Sequence, residues 1–124
     1  MTAARPADFD VTGILALSAA DWNALPFGAI RLDHDGVVLA YNDSEAALAR
    51  RDSERTVGRN FFTQVAPCTQ GPMFEGRFRA MMKARQPATE TFDYDFKFVW
   101  GNRRVRIRLL VDRGQNGWIF VTPL

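Results

Sequence analysis

From Phe92 to Trp100 the chain alternates with a period of two: Phe92, Tyr94, Phe96, Phe98 and Trp100 fall on one face, with Asp93, Asp95, Lys97 and Val99 on the other. This pattern predicts a β-strand with an aromatic buried face. Val105, Ile107, Leu109 and Val111 repeat the period downstream, interleaved with arginines. With Gly101-Asn102 as a two-residue turn, Trp100 would face Arg103. Phe98 would then oppose Val105, Phe96 oppose Ile107 and Tyr94 oppose Leu109, while Asp95 meets Arg108 on the other face. The run Trp118–Val121 predicts a last strand. Upstream, apolar-rich runs at 28–33 and 37–42 flank Asp33-His34-Asp35-Gly36, a hairpin signal. Helical spacing appears at Phe74, Phe78, Met81 and Met82, predicting a helix over Pro72–Arg85. A shorter helix is predicted over Glu45–Arg50, capped by Asp43 or Ser44, and a further turn from Asp52 or Ser53 to Val57, ended by Gly58. Thr12–Leu17 and Ala19–Leu25 give two short helical patterns with Ser18 and Asp21 as capping residues. Residues 1–25 therefore read as an N-terminal helical cap and 26–124 as the core. Two strands, short helices, a long helix and three strands predict an α+β domain with a central antiparallel five-stranded sheet flanked by helices.

The 124 residues, 47% hydrophobic and 24% charged, suit one domain. Sixteen Lys+Arg against fourteen Asp+Glu leave a net charge of +2, too little to argue for nucleic acid. Arg103, Arg104, Arg106 and Arg108 alternate with apolar residues, which predicts the non-core face of one strand. Asp93 and Asp95 on the next strand, and Asp8, Asp10 and Asp21 in the cap, are its expected counter-charges. No apolar run approaches the roughly 20 residues of a membrane span, and Met1-Thr2-Ala3-Ala4-Arg5-Pro6 is followed by no hydrophobic signal segment. A cytoplasmic monomer or weak dimer is expected.

The only cysteine, Cys68, lies in Asn60-Phe61-Phe62-Thr63-Gln64-Val65-Ala66-Pro67-Cys68-Thr69. A lone thiol cannot close an intramolecular disulfide, which leaves packing, nucleophilic reactivity, metal ligation or attachment of an outside group. Catalysis lacks a base, because the single imidazole, His34, falls in a hairpin turn. One Cys and one His also fall short of a metal site. No glycine loop suited to phosphate is present. An enzyme is not expected.

Phe61-Phe62 with Val-Ala-Pro-Cys, preceded by Leu25-Pro26-Phe27-Gly28-Ala29-Ile30 and by Tyr41-Asn42 with Glu45, resembles the photoactive yellow proteins over almost the whole chain. The resemblance implies a PAS-like fold and blue-light reception. It also implies p-coumaric acid (4-hydroxycinnamic acid) held as a thioester on Cys68. By the same resemblance Tyr41 and Glu45 hydrogen-bond the phenolate oxygen, Arg51 shields the ring, and Phe61, Phe62, Pro67 and Phe96 lie in or near the pocket. Arg50 beside Arg51 leaves an offset of one open, and the Arg-Asp pair at 51–52 fixes the match.

Two residues depart from the family pattern. Ala49 stands where many members have a threonine supporting Tyr41, and Trp100 stands near the position where the family usually has a methionine linked to thermal return. The implied output is loosening of the cap and engagement of a downstream signalling protein. Rival readings are a chromophore-free PAS interaction or ligand-binding module, and a thiol redox sensor acting through Cys68.

Overall fold

The computed structural model describes residues 4–124; the first three residues of the expected cap lie outside them. A tight turn at Pro6–Asp8 leads into α1 (Val11–Leu15) and α2 (Ala19–Asn23). There follow β1 (Gly28–Asp33), β2 (Val38–Tyr41), α3 (Asp43–Ala49) and α4 (Ser53–Thr56). Wide helical turns at Phe61–Val65 and Pro72–Gly76, with a tight turn at Pro67–Thr69 between them, lead to α5 (Arg77–Lys83). The chain ends in β3 (Ala88–Phe98), β4 (Gly101–Val111) and β5 (Asn116–Pro123). The five strands form one antiparallel sheet in the order β2-β1-β5-β4-β3.

The β1–β2 reversal is held by Asp33, whose Oδ1 accepts from the amides of Asp35 and Val37, both at 2.9 Å. Gly36 takes the left-handed φ of +91° there. The His34 side chain at this turn is 61% exposed, a surface imidazole.

The β3–β4 register differs from the sequence expectation by four residues. Phe98 pairs with Gly101, Phe96 with Arg103, Tyr94 with Val105 and Phe92 with Ile107, so the reversal is Val99-Trp100. The shift is even and keeps the aromatic row on its predicted face. Three features favour it. Each of the eleven residues of β3 gains a partner among the eleven of β4. Asp93 and Asp95 oppose Arg106 and Arg104 and pair with both at 2.8 Å, where the expected register satisfied one such pair. Trp100, freed from the strand, stacks 5.2 Å from Phe98 at 5° and donates from Nε1 to the Leu48 carbonyl at 2.7 Å. Arg103 falls on the Val105 face, not with the other arginines, and donates to the Leu124 carbonyl.

The sheet is covered on both faces. On one, Phe61, Phe62, Phe74, Phe78, Met81 and Met82 pack against Ile30, Leu32, Val105, Ile107, Leu109 and Ile119. On the other, the cap contributes Ile14, joined by Phe9, Val11, Leu17 and Trp22, over Leu25, Phe27, Ala29, Leu110, Trp118 and Phe120.

Ser18 and Asp52 cap α2 and α4 as expected, Asp21 completing the Ser18 box. Asn42, in place of Asp43 or Ser44, caps α3. Its Oδ1 accepts from the amides of Glu45 (3.0 Å) and Ala29 (2.9 Å), and its Nδ2 donates to the carbonyls of Trp22 (3.2 Å) and Phe27 (3.1 Å). This fully buried amide uses both donors and both lone pairs, an arrangement that neither alternative offers. Ser44 instead donates to the Leu25 carbonyl. The cap carboxylates are likewise spent on backbone amides: Asp8 on Arg5, Asp10 on Gly13 and Asp21 on Ser18. None of them is ion-paired with an arginine among the described residues.

Candidate functional site

Tyr41 ends β2 and Glu45 lies in the first turn of α3, placed by the intervening Asn42 cap. Both side chains are buried, Glu45 to 1% exposure. Burial pushes the Glu45 carboxyl up to about 8, with the neighbouring Tyr41 hydroxyl acting the other way. The Tyr41 phenol is held well above its ordinary range, by burial first and then by Glu45, with Arg51 partly offsetting. At neutral pH the pair therefore presents two protonated oxygens. Glu45 Oε1 is buried with no hydrogen-bond partner among the described residues. A buried unsatisfied oxygen costs about 1–3 kcal/mol and marks a place where a donor or acceptor would be welcome.

One turn further along α3, Ala49 faces the same space. Arg50 ends the helix in the left-handed region (φ 55°) and lies over the Trp100 ring at 5.2 Å, and the chain returns so that Arg51 lines the cleft. Phe61 and Phe96 form its walls. The structure thus brings together six of the expected residues, Tyr41, Glu45, Ala49, Arg51, Phe61 and Phe96, and adds Val65, Ala66, Lys97, Phe98 and Val99. The enclosed cavity is about 30 Å³, room for one water, within a cleft whose unfilled space is about 320 Å³ with its open mouth included.

Three expected residues do not line the cleft. Phe62 sits behind it, fully buried among Phe61, Phe74 and Phe78. Pro67 and Cys68 occupy the tight turn that follows the wall residues Val65 and Ala66. Cys68 is half-buried against the main core. Its turn is fastened on both sides: the Tyr94 hydroxyl donates to the Cys68 carbonyl at 2.6 Å, and Thr69 Oγ1 donates to the Ala66 carbonyl at 2.6 Å.

Gly28 has a role that sequence reasoning did not assign, although it stands inside the Leu25–Ile30 run. A Cβ there would collide with Glu45 Oε1. The carboxyl occupies the space that this glycine leaves on β1. Gly28→Ala is expected to displace Glu45 and to lower stability by about 1–3 kcal/mol, read from the denaturant midpoint at unchanged m-value. A midpoint equal to wild type would show that the carboxyl has room elsewhere.

Among the described residues no group of three or more His, Cys, Asp or Glu side chains is placed to hold a metal ion. No helix among them is long and apolar enough to cross a membrane.

The family model described as "PAS fold" matches residues 22–120. The photoactive yellow protein of Halochromatium salexigens is 40% identical over 119 residues, 93% of each chain. That of Cereibacter sphaeroides is 37% identical over 113 residues, 90% of each. Among solved structures, the photoactive yellow protein domain of the sensor histidine kinase Ppr from Rhodospirillum centenum superposes with a TM-score of 0.79 at 42% identity, covering 87% of this chain and 95% of that one. A PAS domain of an HTR-like protein from Haloarcula marismortui, at 17% identity and a TM-score of 0.66, shares the fold. With its five-stranded sheet, its buried Tyr41–Glu45 pair and relatives of this identity along nearly their whole length, the chain belongs to the photoactive yellow protein family.

Proposed function

We propose that this protein is a blue-light photoreceptor with p-coumaric acid thioester-linked to Cys68, its ring reaching the Tyr41–Glu45 end of the cleft. The observation that carries this reading is the buried Tyr41–Glu45 pair, lining a cleft whose wall leads directly into the Cys68 turn. The residues suit the group: two buried protonated oxygens for a phenolate, aromatic walls for a ring, and a guanidinium in the lining. When bound, p-coumaric acid supplies a double bond that light isomerises and a phenolic oxygen that changes its proton affinity. Residues 1–25 act as cap and 26–124 as sensor core, working in the cytoplasm on a downstream signalling protein.

The chain's own part in the response is to hold and then release a proton. Glu45 keeps its proton in the dark because burial disfavours the carboxylate. Loss of that proton leaves a buried charge costing several kcal/mol, comparable with the whole stability of a small domain. The strain falls on the start of α3, where the Glu45 amide is tied to Asn42 and Asn42 is tied to Ala29, Phe27 and Trp22. Trp22 belongs to α2, so a shift at α3 pulls directly on the cap. The cap is the element that yields, since its helices are five residues each and depend on the docked apolar face.

Reconstitution with activated p-coumaric acid tests the reading. A visible absorption band that bleaches and recovers under blue light is expected. A colourless product would leave a chromophore-free PAS interaction module as the better account.

Ala49→Thr is expected to lower the dark-state pKa of the bound phenol, because a hydroxyl facing the cleft beside Tyr41 adds a donor to the network. A pH titration of the absorption spectrum reads this. An unchanged or raised value would mean that the added hydroxyl bonds elsewhere, for example to a carbonyl of α3.

A further inference from the structure

Arg108 is the arginine of β4 that faces the cap, and the mechanism leaves it unused. Arg104 and Arg106 are matched by Asp95 and Asp93. Arg108, partly buried, has no carboxylate within ion-pair distance among the described residues, and donates from a single Nη1 to the carbonyls of Pro6 (2.7 Å) and Phe9 (2.6 Å). Its guanidinium also lies over the Phe120 ring at 5.8 Å, and Asp10 is close enough to favour its charge. Phe9, between Asp8 and Asp10 in the chain, packs on Phe27 at 6.2 Å and Phe120 at 6.3 Å, and Ile14 is buried in the same cluster. The sheet face under the cap is therefore a patch of Leu110, Trp118, Phe120, Phe27 and Ala29 bordered by two cations, Arg108 and Arg31, the latter over the Trp118 ring at 5.6 Å and bonded to Asn116, neither of them ion-paired among the described residues. What covers it is an acidic, amphipathic segment carrying an aromatic between two carboxylates.

We propose that this surface, once the cap leaves it, binds an acidic amphipathic segment of a partner protein that presents an aromatic side chain flanked by carboxylates, with Arg108 gripping the segment and the Phe120 patch seating the ring. The cap is then a built-in competitor occupying the partner's site in the dark. That light is what vacates the surface rests on the function proposed above; the surface and its preference do not.

The test uses the full chain and a fluorescent peptide of residues 4–17 as the probe. Phe9→Ala/Ile14→Ala removes two of the cap's apolar anchors and should open it without light, as hydrogen exchange over residues 4–24 will show. If that pair of changes unfolds the sheet, Phe9→Ala alone serves. The opened variant should bind the probe about tenfold or more tightly than dark wild type. Adding Arg108→Ala should weaken binding about fivefold or more, whereas adding Arg104→Ala should leave it within about twofold. A probe with Asp8→Asn and Asp10→Asn, which keeps side-chain acceptors for the Arg5 and Gly13 amides but removes both charges, should bind more weakly than the acidic one. Equal binding of the two probes, indifference to Arg108→Ala, or a cap that stays docked in both variants overturns the proposal. Binding to the opened variant but not to illuminated holoprotein would keep the surface and reject the light trigger.

Discussion

Cys68→Ala is expected to give a folded protein that takes up no covalent pigment. The sulfur is the only thiol in the chain, so no other side chain can form a thioester under the same mild acylation. Intact mass after reconstitution should show the unmodified polypeptide where wild type gains one p-coumaroyl group. The fold should survive because Cys68 is half-buried at the edge of the main core and its turn is held by other groups, the Tyr94 and Thr69 hydroxyls bonding backbone carbonyls. The stability cost should be about 1 kcal/mol or less, the burden of losing one small, partly covered group. A covalent adduct in the variant would reject Cys68 as the attachment point. Outright unfolding would show that the sulfur is chiefly a packing group.

How much of this was legible in the sequence depends on the range of the interaction that fixes each feature. The aromatic period of Phe92–Phe98 and the β4 alternation gave both strands and their buried faces, because a side chain's face follows from local geometry. The hairpin register did not follow, since Gly101-Asn102 is a good turn by local rules. Two Asp–Arg pairs and the stacking of Trp100 on Phe98, reaching across to α3, outweigh it. Asn42 was missed as the α3 cap for the same reason: three of its four bonds go to residues 13 to 20 positions away. Tyr41, Glu45, Ala49 and Arg51 line one cleft, brought together by the short path from the end of β2 through α3. Gly28 escaped because its function is the absence of a side chain, visible only where the Glu45 carboxyl occupies that space. Arg108 was placed on the correct face, but its acceptors are backbone carbonyls of the cap, and no residue type announces those.

Glu45→Gln is expected to change three observables, the first of them without pigment. Glu45 ionises near 4.5 in an unfolded chain and near 8 in the folded one. Between those values the folded state holds a proton that the unfolded state has shed, so stability falls as pH rises across the window, by up to roughly 5 kcal/mol in total. The glutamine variant has no such proton and should lose this part of the slope, which urea midpoints of apoprotein at pH 5 and pH 8 will compare. With pigment, the amide keeps shape and a donor but binds a phenolate less strongly than a carboxylic acid does. The dark band should therefore move to longer wavelength, since excitation draws charge from the phenolate oxygen and a weaker donor stabilises the ground state less. Under blue light the loosening of residues 4–25 should shrink, because no buried carboxylate forms at position 45 and the Asn42 ties to Ala29, Phe27 and Trp22 are not strained. Hydrogen exchange in the dark and under illumination reads this directly. Should the variant's cap loosen as much as wild type's, charge creation at Glu45 is not the trigger, and the steric demand of the isomerised group on the narrow cleft between Phe61 and Phe96 takes its place.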